Sequence, residues 1–254
     1  MRKIIYYSDE LNDEFSRGGI TPVKIDARYS YAGTFLRPVL RAVIYHIFAK
    51  IIAFVYMKLV HGHRIIGADK LRGYSHRAHF VYANHTNAVP DAVIPTMINL
   101  FGSTYVIVHP DNVSMPVLGR ITPALGAIPL PDDREAYKNY QAYIHSLCAK
   151  NRTIMIYPEA HIWPYYTKIR PFKADSFHYP VMENVPVFCF TNTYQKRRFF
   201  KKPRIVTYIE GPFFPDETLK KPERIRDLRD RVYDAMTKNS AHSNVEYITY
   251  MKRE

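Results

Sequence analysis

Cysteine is nearly absent: two residues in 254, Cys148 and Cys189, each inside an apolar run. Two thiols make neither a disulfide framework nor a metal cluster, so both are expected to be buried and unpaired. Acidic residues are scarce too, 23 against 36 lysines and arginines, for a formal net charge of +13. Such an imbalance calls for an anionic partner: nucleic acid, an anionic membrane surface, or an acidic protein or phosphorylated substrate. No apolar leader core follows Met1-Arg2-Lys3-Ile4-Ile5-Tyr6-Tyr7, because Asp9, Glu10, Asp13 and Glu14 come at once. A cytosolic, reducing location is therefore expected. Internal repeats, low-complexity tracts and linkers are missing, which makes a single domain the economical reading. The hydrophobic share, 47% with 23% charged, is ample for a sizeable core.

The chain opens with a polar, aromatic and irregular lead segment, residues 1 to about 35, that includes Gly18-Gly19. Val39 to Val60 then reads as helix, interrupted by Arg41, His46, Lys50 and Lys58. A spanning helix wants about 18 or more mostly uncharged apolar residues. A helix lying in or dipping into a membrane interface fits this pattern better, with a buried core helix as the other reading.

From residue 61 the pattern alternates. Short β-like runs fall at His63–Ile66, Phe80–Ala83, Thr104–Val108, Ala127–Leu130, Thr153–Tyr157, Val187–Asn192 and Arg204–Glu210. Helix-like runs fall at Asp91–Leu100, Arg134–Lys150 and Ala174–Met182, with a charged helix from Pro222 to about Lys238. This order predicts an α/β fold, one domain with a mixed or parallel sheet flanked by helices. Such sheets bind ligands at the carboxyl ends of their strands.

One strand end stands out. Asn84-His85-Thr86-Asn87-Ala88-Val89-Pro90-Asp91 joins the Phe80–Ala83 strand to the following helix. A histidine with a carboxylate close behind it can act as a general base and the group that orients it. Each also has a plainer explanation: His85 as a loop histidine bonded to backbone, and Asp91 as a first-turn carboxylate behind Pro90 at the helix start. A second strand ends in Tyr157-Pro158-Glu159-Ala160-His161-Ile162-Trp163, and Arg170-Pro171-Phe172-Lys173 follows. Arg170 and Lys173 could build an anion pocket, with Glu159 holding the loop. A third ends in Leu125-Gly126-Ala127-Ile128-Pro129-Leu130-Pro131-Asp132-Asp133-Arg134, and a fourth strand is Val185–Phe190.

These four blocks, in this order, resemble the PlsC-type glycerolipid acyltransferases, the lysophosphatidate and glycerol-3-phosphate acyltransferase group. Asn84, His85 and Asp91 match the family's Asn-His, four residues, Asp, here with five residues between. Tyr157-Pro158-Glu159 matches part of Phe-Pro-Glu-Gly-Thr-Arg, and Pro171-Phe172-Lys173-Ala174-Asp175-Ser176-Phe177 matches Pro-Phe-Lys-x-Gly-x-Phe. Gly126, Ile128 and, with shifted spacing, Arg134 match the glycine-led block. The likeness runs from near Gly67 through the Val185–Phe190 strand. It divides the chain into a lead segment and membrane-associated helix, 1–60, and an acyltransferase domain, 61–254.

The resemblance implies direct acyl transfer from acyl-CoA or acyl carrier protein to a lysolipid or glycerol phosphate hydroxyl. His85 would be the base, Asp91 its support, and no cofactor or metal is needed. The family's phosphate-binding arginine has no counterpart after Glu159, where Ala160-His161-Ile162 stands. Arg170, Lys173, His161 or Arg134 are the residues left to take that part. The basic run Lys196-Arg197-Arg198-Phe199-Phe200-Lys201-Lys202 suits an anionic lipid surface, and its field could equally attract an acyl carrier protein. No nucleic-acid-binding motif accompanies it. The expectation is a peripheral protein on the cytoplasmic face of the cell membrane; a non-catalytic anionic-lipid-binding relative is the alternative.

Overall fold

The structure is a computed structural model describing residues 3–15, 19–33, 36–98 and 102–253. Gly18 in the lead segment and Asn99-Leu100 at the end of an expected helix lie outside the described residues. Strand β1 (Lys3–Tyr7) comes first. One long helix, Arg37–His61, follows. It opens as α1 (Arg37–Leu40), widens to i→i+5 pairing over Arg41–Ala49, and closes as α2 (Lys50–His61). The body of the chain then runs β2 (Arg64–Ile66), β3 (His79–Ala83), α3 (Ala88–Ile98), β4 (Thr104–Val108), α4 (Asp111–Ser114), α5 (Leu118–Leu125) and β5 (Ala127–Pro129). It continues through α6 (Arg134–Ala149), β6 (Thr153–Ile156), α7 (His178–Glu183), β7 (Val187–Gln195), β8 (Arg204–Phe213), α8 (Lys221–Ser240) and β9 (Ile248–Lys252).

Seven strands form one sheet in the order β2-β8-β7-β3-β6-β4-β5. Every neighbouring pair is parallel except β7–β8. The mixed α/β sheet flanked by helices is therefore the expected one. Its central strands are covered on both sides, which is why His79–Ala83 and Thr153–Ile156 are buried at every position and read as continuous apolar runs. Phe80, Tyr82, Ile154 and Ile156 face Tyr140 and Ile144 of α6 and Leu228 and Val232 of α8. Val81, Ala83 and Met155 face the other way, with Phe188, Phe190 and Ile209. Because β3, β6, β4 and β5 run parallel, their carboxyl ends share one edge, and the first two are immediate neighbours.

Two additions were not expected. The lead segment supplies β1, which pairs in parallel with β9 as a separate two-stranded sheet. The short helices α4 and α5 fill the connection between β4 and β5. Gly126 closes α5 at φ +104, and a Cβ there would lie 2.7 Å from the Thr104 carbonyl oxygen and 2.8 Å from Arg41 Nη1.

The long helix turns Arg41 and Lys50 toward the domain, while His46 and Lys58 stay exposed and reach back to it with their ends. Arg41 is buried, donating from Nη1 to the Ala124 carbonyl (3.1 Å) and from Nη2 to that of Thr104 (3.0 Å), between the Tyr45 and Tyr105 rings. His46 Nε2 lies 3.2 Å from Ser103 Oγ, Lys50 Nζ donates to Gly102 O (3.1 Å), and Lys58 Nζ donates to His63 O (2.8 Å). Ala53 and Met57 pack on Ile94 and Met97 of α3. The outer face is left apolar: Val39, Val43, Ile47, Phe48, Ile51, Ile52, Val55 and Leu59 are all exposed. Arg41, His46 and Lys50, which interrupt the apolar pattern in sequence, thus anchor the helix to the domain, and Lys58 closes its end.

Candidate active site

The loop between β3 and α3 is built from side chains that close back on the backbone. Asn84, buried, accepts the Asn192 N–H on Oδ1 (2.7 Å) and donates from Nδ2 to the Asn192 carbonyl (3.0 Å). These two hydrogen bonds pin the end of β3 to β7. His85 follows, with its ring Nδ1 2.9 Å from Asp91 Oδ2. The same carboxylate oxygen accepts the N–H groups of Thr86 (2.8 Å) and Asn87 (2.9 Å), while Oδ1 accepts from Asn192 Nδ2 (3.2 Å). A carboxylate can only accept, so His85 Nδ1 carries the hydrogen and Nε2 holds the free lone pair. Asp91 is 1% exposed and the His85 ring 19% exposed, which leaves the Nε2 edge as the reachable one. Tyr157 stacks on the imidazole at 4.4 Å and donates its hydroxyl to the Asp91 carbonyl (2.5 Å).

The extra residue between His85 and Asp91 is absorbed without separating them. Helix α3 begins at Ala88, two residues before Pro90, so only residues 84–87 form the loop. Pro90 therefore sits inside the first turn rather than at its first position; its missing N–H still falls among groups that lack helical partners.

The loop after β6 is the second wall. Glu159 is buried, and its two oxygens accept the backbone N–H groups of His85 (2.9 Å) and Arg170 (2.9 Å). Burial pushes its carboxyl above the usual range, opposed by the Arg170 cation and by those two N–H groups. Glu159 thus bonds to the backbone of both loops.

The other expected anion ligands are placed differently from one another. Arg170 is 1% exposed, and its guanidinium donates to the carbonyls of Glu10 (3.0 Å), Glu159 (3.1 Å) and His161, over the Trp163 ring. His161 lies beside Glu14, with Nδ1 3.5 Å from the carboxylate. Lys173 and Arg134 are exposed, and Arg134 opens α6 just after its capping residue Asp133. Ala160, where the family pattern has glycine, is in the left-handed region at φ +62. The lead segment closes over this loop. Trp163 Nε1 donates to Asp13 O (2.7 Å), the Ile162 N–H to Glu14 Oε2 (3.2 Å), and the rings of Tyr7, Phe15 and Tyr250 pack on Trp163.

Sequence reasoning did not single out Tyr157 or Asn192 as site residues. Asn192 carried a signal: an amide in a strand otherwise fit for complete burial needs partners inside the protein.

The chemical capacity of this arrangement is proton abstraction by a supported imidazole at a strand end, in a loop whose backbone is fixed from two sides. Comparison with known proteins bears on the family and the fold. The family model described as Acyltransferase matches residues 64–191, half of the chain, and that stretch holds both loops. Among solved structures, the crystal structure of the 1-acyl-sn-glycerophosphate (LPA) acyltransferase PlsC from Thermotoga maritima is similar, with a TM-score of 0.53. The two share 16% identity over 83% of this chain and 97% of that one, a likeness of fold. No curated protein matches the chain.

Proposed function

The chain belongs to the acyltransferase family, and on that premise we propose that it is a membrane-associated O-acyltransferase. It would move a fatty acyl group from a thioester, acyl-CoA or acyl carrier protein, to a hydroxyl of a lysophospholipid or glycerol phosphate. The observation that carries the reading is the His85–Asp91 pair, 2.9 Å apart, with the carboxylate buried and the imidazole reachable.

In this reading His85 Nε2 takes the proton of the acceptor hydroxyl as its oxygen attacks the thioester carbonyl. The tetrahedral intermediate collapses, the C–S bond breaks, and the imidazolium returns the proton to the departing thiolate. Asp91 holds Nδ1–H and stabilises the transient cation. A positioned base contributes roughly 10²–10⁴-fold, and orientation of the two substrates supplies much of the rest.

For the acceptor's anionic group we assign Lys173 and Arg134, which are exposed. Arg170, buried against three carbonyls, holds the loop. For the membrane we assign the outer face of Arg37–His61 together with the basic run beside it, where Phe199 is 82% and Phe200 59% exposed. Arg197 Nη1 donates to Val60 O (2.7 Å), joining the two into one surface. With Arg41 and Lys50 anchored to the domain and an apolar face left outside, the helix would lie along the leaflet rather than across it, on the cytoplasmic face. Each basic residue near an anionic surface contributes about 1 kcal/mol.

The test is lipid mass spectrometry after incubating the protein with a panel of lysolipids and glycerol phosphates and both donor types. A new acyl ester formed by wild type is the expected result. No product from any pairing, with the protein still sedimenting on anionic liposomes, would overturn catalysis in favour of a lipid-binding role.

A further inference from the structure

Behind the pair runs a line of buried polar groups that neither the family pattern nor the transfer chemistry requires. Asn192 Nδ2 donates to Asp91 Oδ1 (3.2 Å), Thr207 Oγ1 donates to Asn192 Oδ1 (2.7 Å), and His63 Nε2 lies 2.8 Å from Thr207 Oγ1. Exposure along it is 3% at Asn192, 0% at Thr207 and 1% at His63. The line crosses three elements of the sheet. Asn192 and Thr207 are direct partners in the antiparallel β7–β8 ladder, and His63 immediately precedes β2, which lies beside β8.

The direction of every bond is determined from one end. The Asp91 carboxylate accepts only, so the Asn192 amide must turn its NH₂ toward it and its oxygen toward Thr207. That oxygen accepts only, so the Thr207 hydroxyl donates to it. The Thr207 oxygen is then left to accept, so His63 must present Nε2–H. Among the described residues His63 Nδ1 has no hydrogen-bond partner, as befits a bare lone pair and not a second N–H. Burial, aided by Lys58 and His61, pushes the ring down to about 4, so it stays neutral across ordinary pH.

We propose that His63, Thr207 and Asn192 are positioning residues of the transfer site, a hydrogen-bonded line that fixes the Asp91 carboxylate and through it the His85 ring. The far end of the line is tied to the apolar helix. His63 N–H donates to Met57 O (3.0 Å) and its carbonyl accepts from Lys58 Nζ (2.8 Å), so the close of α2 sets where the ring stands. Loss of the Thr207 hydroxyl orphans the Asn192 oxygen and the His63 N–H together and frees the amide to turn, after which its donor leaves Asp91.

The inference rests on the acyl-transfer reading, and two experiments on the full chain keep the two apart. In the first, turnover is compared for Thr207→Val, Thr207→Ser and wild type. Thr207→Val is expected to lower kcat roughly tenfold with KM nearly unchanged, Thr207→Ser to restore most of it, and Thr207→Val to cause no further loss in an Asp91→Asn background. An unchanged kcat, or the same loss in the Asp91→Asn background, would overturn the proposal. In the second, ¹⁵N-histidine spectra of wild type and His63→Gln identify the His63 ring. The expected signal is an Nε2–H tautomer that does not titrate between about pH 5 and 8; an Nδ1–H tautomer or a titrating ring overturns the line of bonds. The spectra need no substrate, so a protein without turnover would remove the acyl-transfer reading while they still judge the network.

Discussion

The two loops that meet at His85 are built on opposite plans. After β3, residues 84–87 form a short connection in which no residue takes a positive φ, and the N–H groups of His85, Thr86 and Asn87 all end on the buried carboxylates of Glu159 and Asp91. After β6, the connection is long, and Ala160 (φ +62) and Tyr165 (φ +59) are held in the left-handed region. That loop is secured by Glu10, Asp13, Glu14 and Tyr250, all of which lie outside residues 64–191 that match the family. The first loop keeps the family's Asn84, His85 and Asp91 and is tied to Asn192 and Glu159; the second departs from the family at Ala160-His161-Ile162, and besides its backbone bonds from the Trp163 and Tyr165 N–H groups to the His85 and Thr86 carbonyls it is held by the lead segment and Tyr250.

Glu159 joins the two plans, so its loss should show the largest effect. Glu159→Ala leaves Arg170 buried without its carboxylate and the His85 N–H unpaired, and should cost about 3–5 kcal/mol in chemical denaturation. A cost below about 1 kcal/mol would mean that the backbone bonds from the Trp163 and Tyr165 N–H groups to the His85 and Thr86 carbonyls hold the loops together without it. Glu14→Ala removes a hold on the second loop. It should lower stability by about 1–2 kcal/mol through the Ile162 N–H and His161 contacts and leave kcat unaltered; a fall in kcat would show that the lead segment reaches the first loop as well. The smallest change should be a gain. Ala160→Gly relieves a left-handed alanine against the added freedom of the unfolded chain, for a net of about 0.5–1 kcal/mol, and a loss would place other constraints on that turn.

Much of this was legible in the sequence, because buried parallel strands write themselves as apolar runs. The runs at Phe80–Ala83, Thr104–Val108 and Thr153–Tyr157 coincide with β3, β4 and β6 to within a residue. His85 and Asp91 were legible from their place at a strand end. The aim of a side chain was not. Arg170 shows a cation in sequence, and only the packing of Trp163 and the carbonyls around it reveals that its fork points inward. Arg41 and Lys50 likewise read as breaks in an apolar helix, whereas tertiary contacts make them its attachment. Strand β1 was hidden because its partner β9 lies at the other end of the chain, and pairing over that distance leaves no local period. Helices α4 and α5 were hidden by brevity, with four and eight residues too few to establish a period of 3.6.

The claim that His85 is the base of an acyl transfer meets its plainest test in thiol release. Wild type and His85→Ala, checked for equal folding and liposome binding, are given an acyl thioester with the acceptor panel, and the freed thiol is followed with time. The account predicts acceptor-dependent release by wild type and a loss of roughly 10²–10⁴-fold in the variant. Full release by His85→Ala would contradict it.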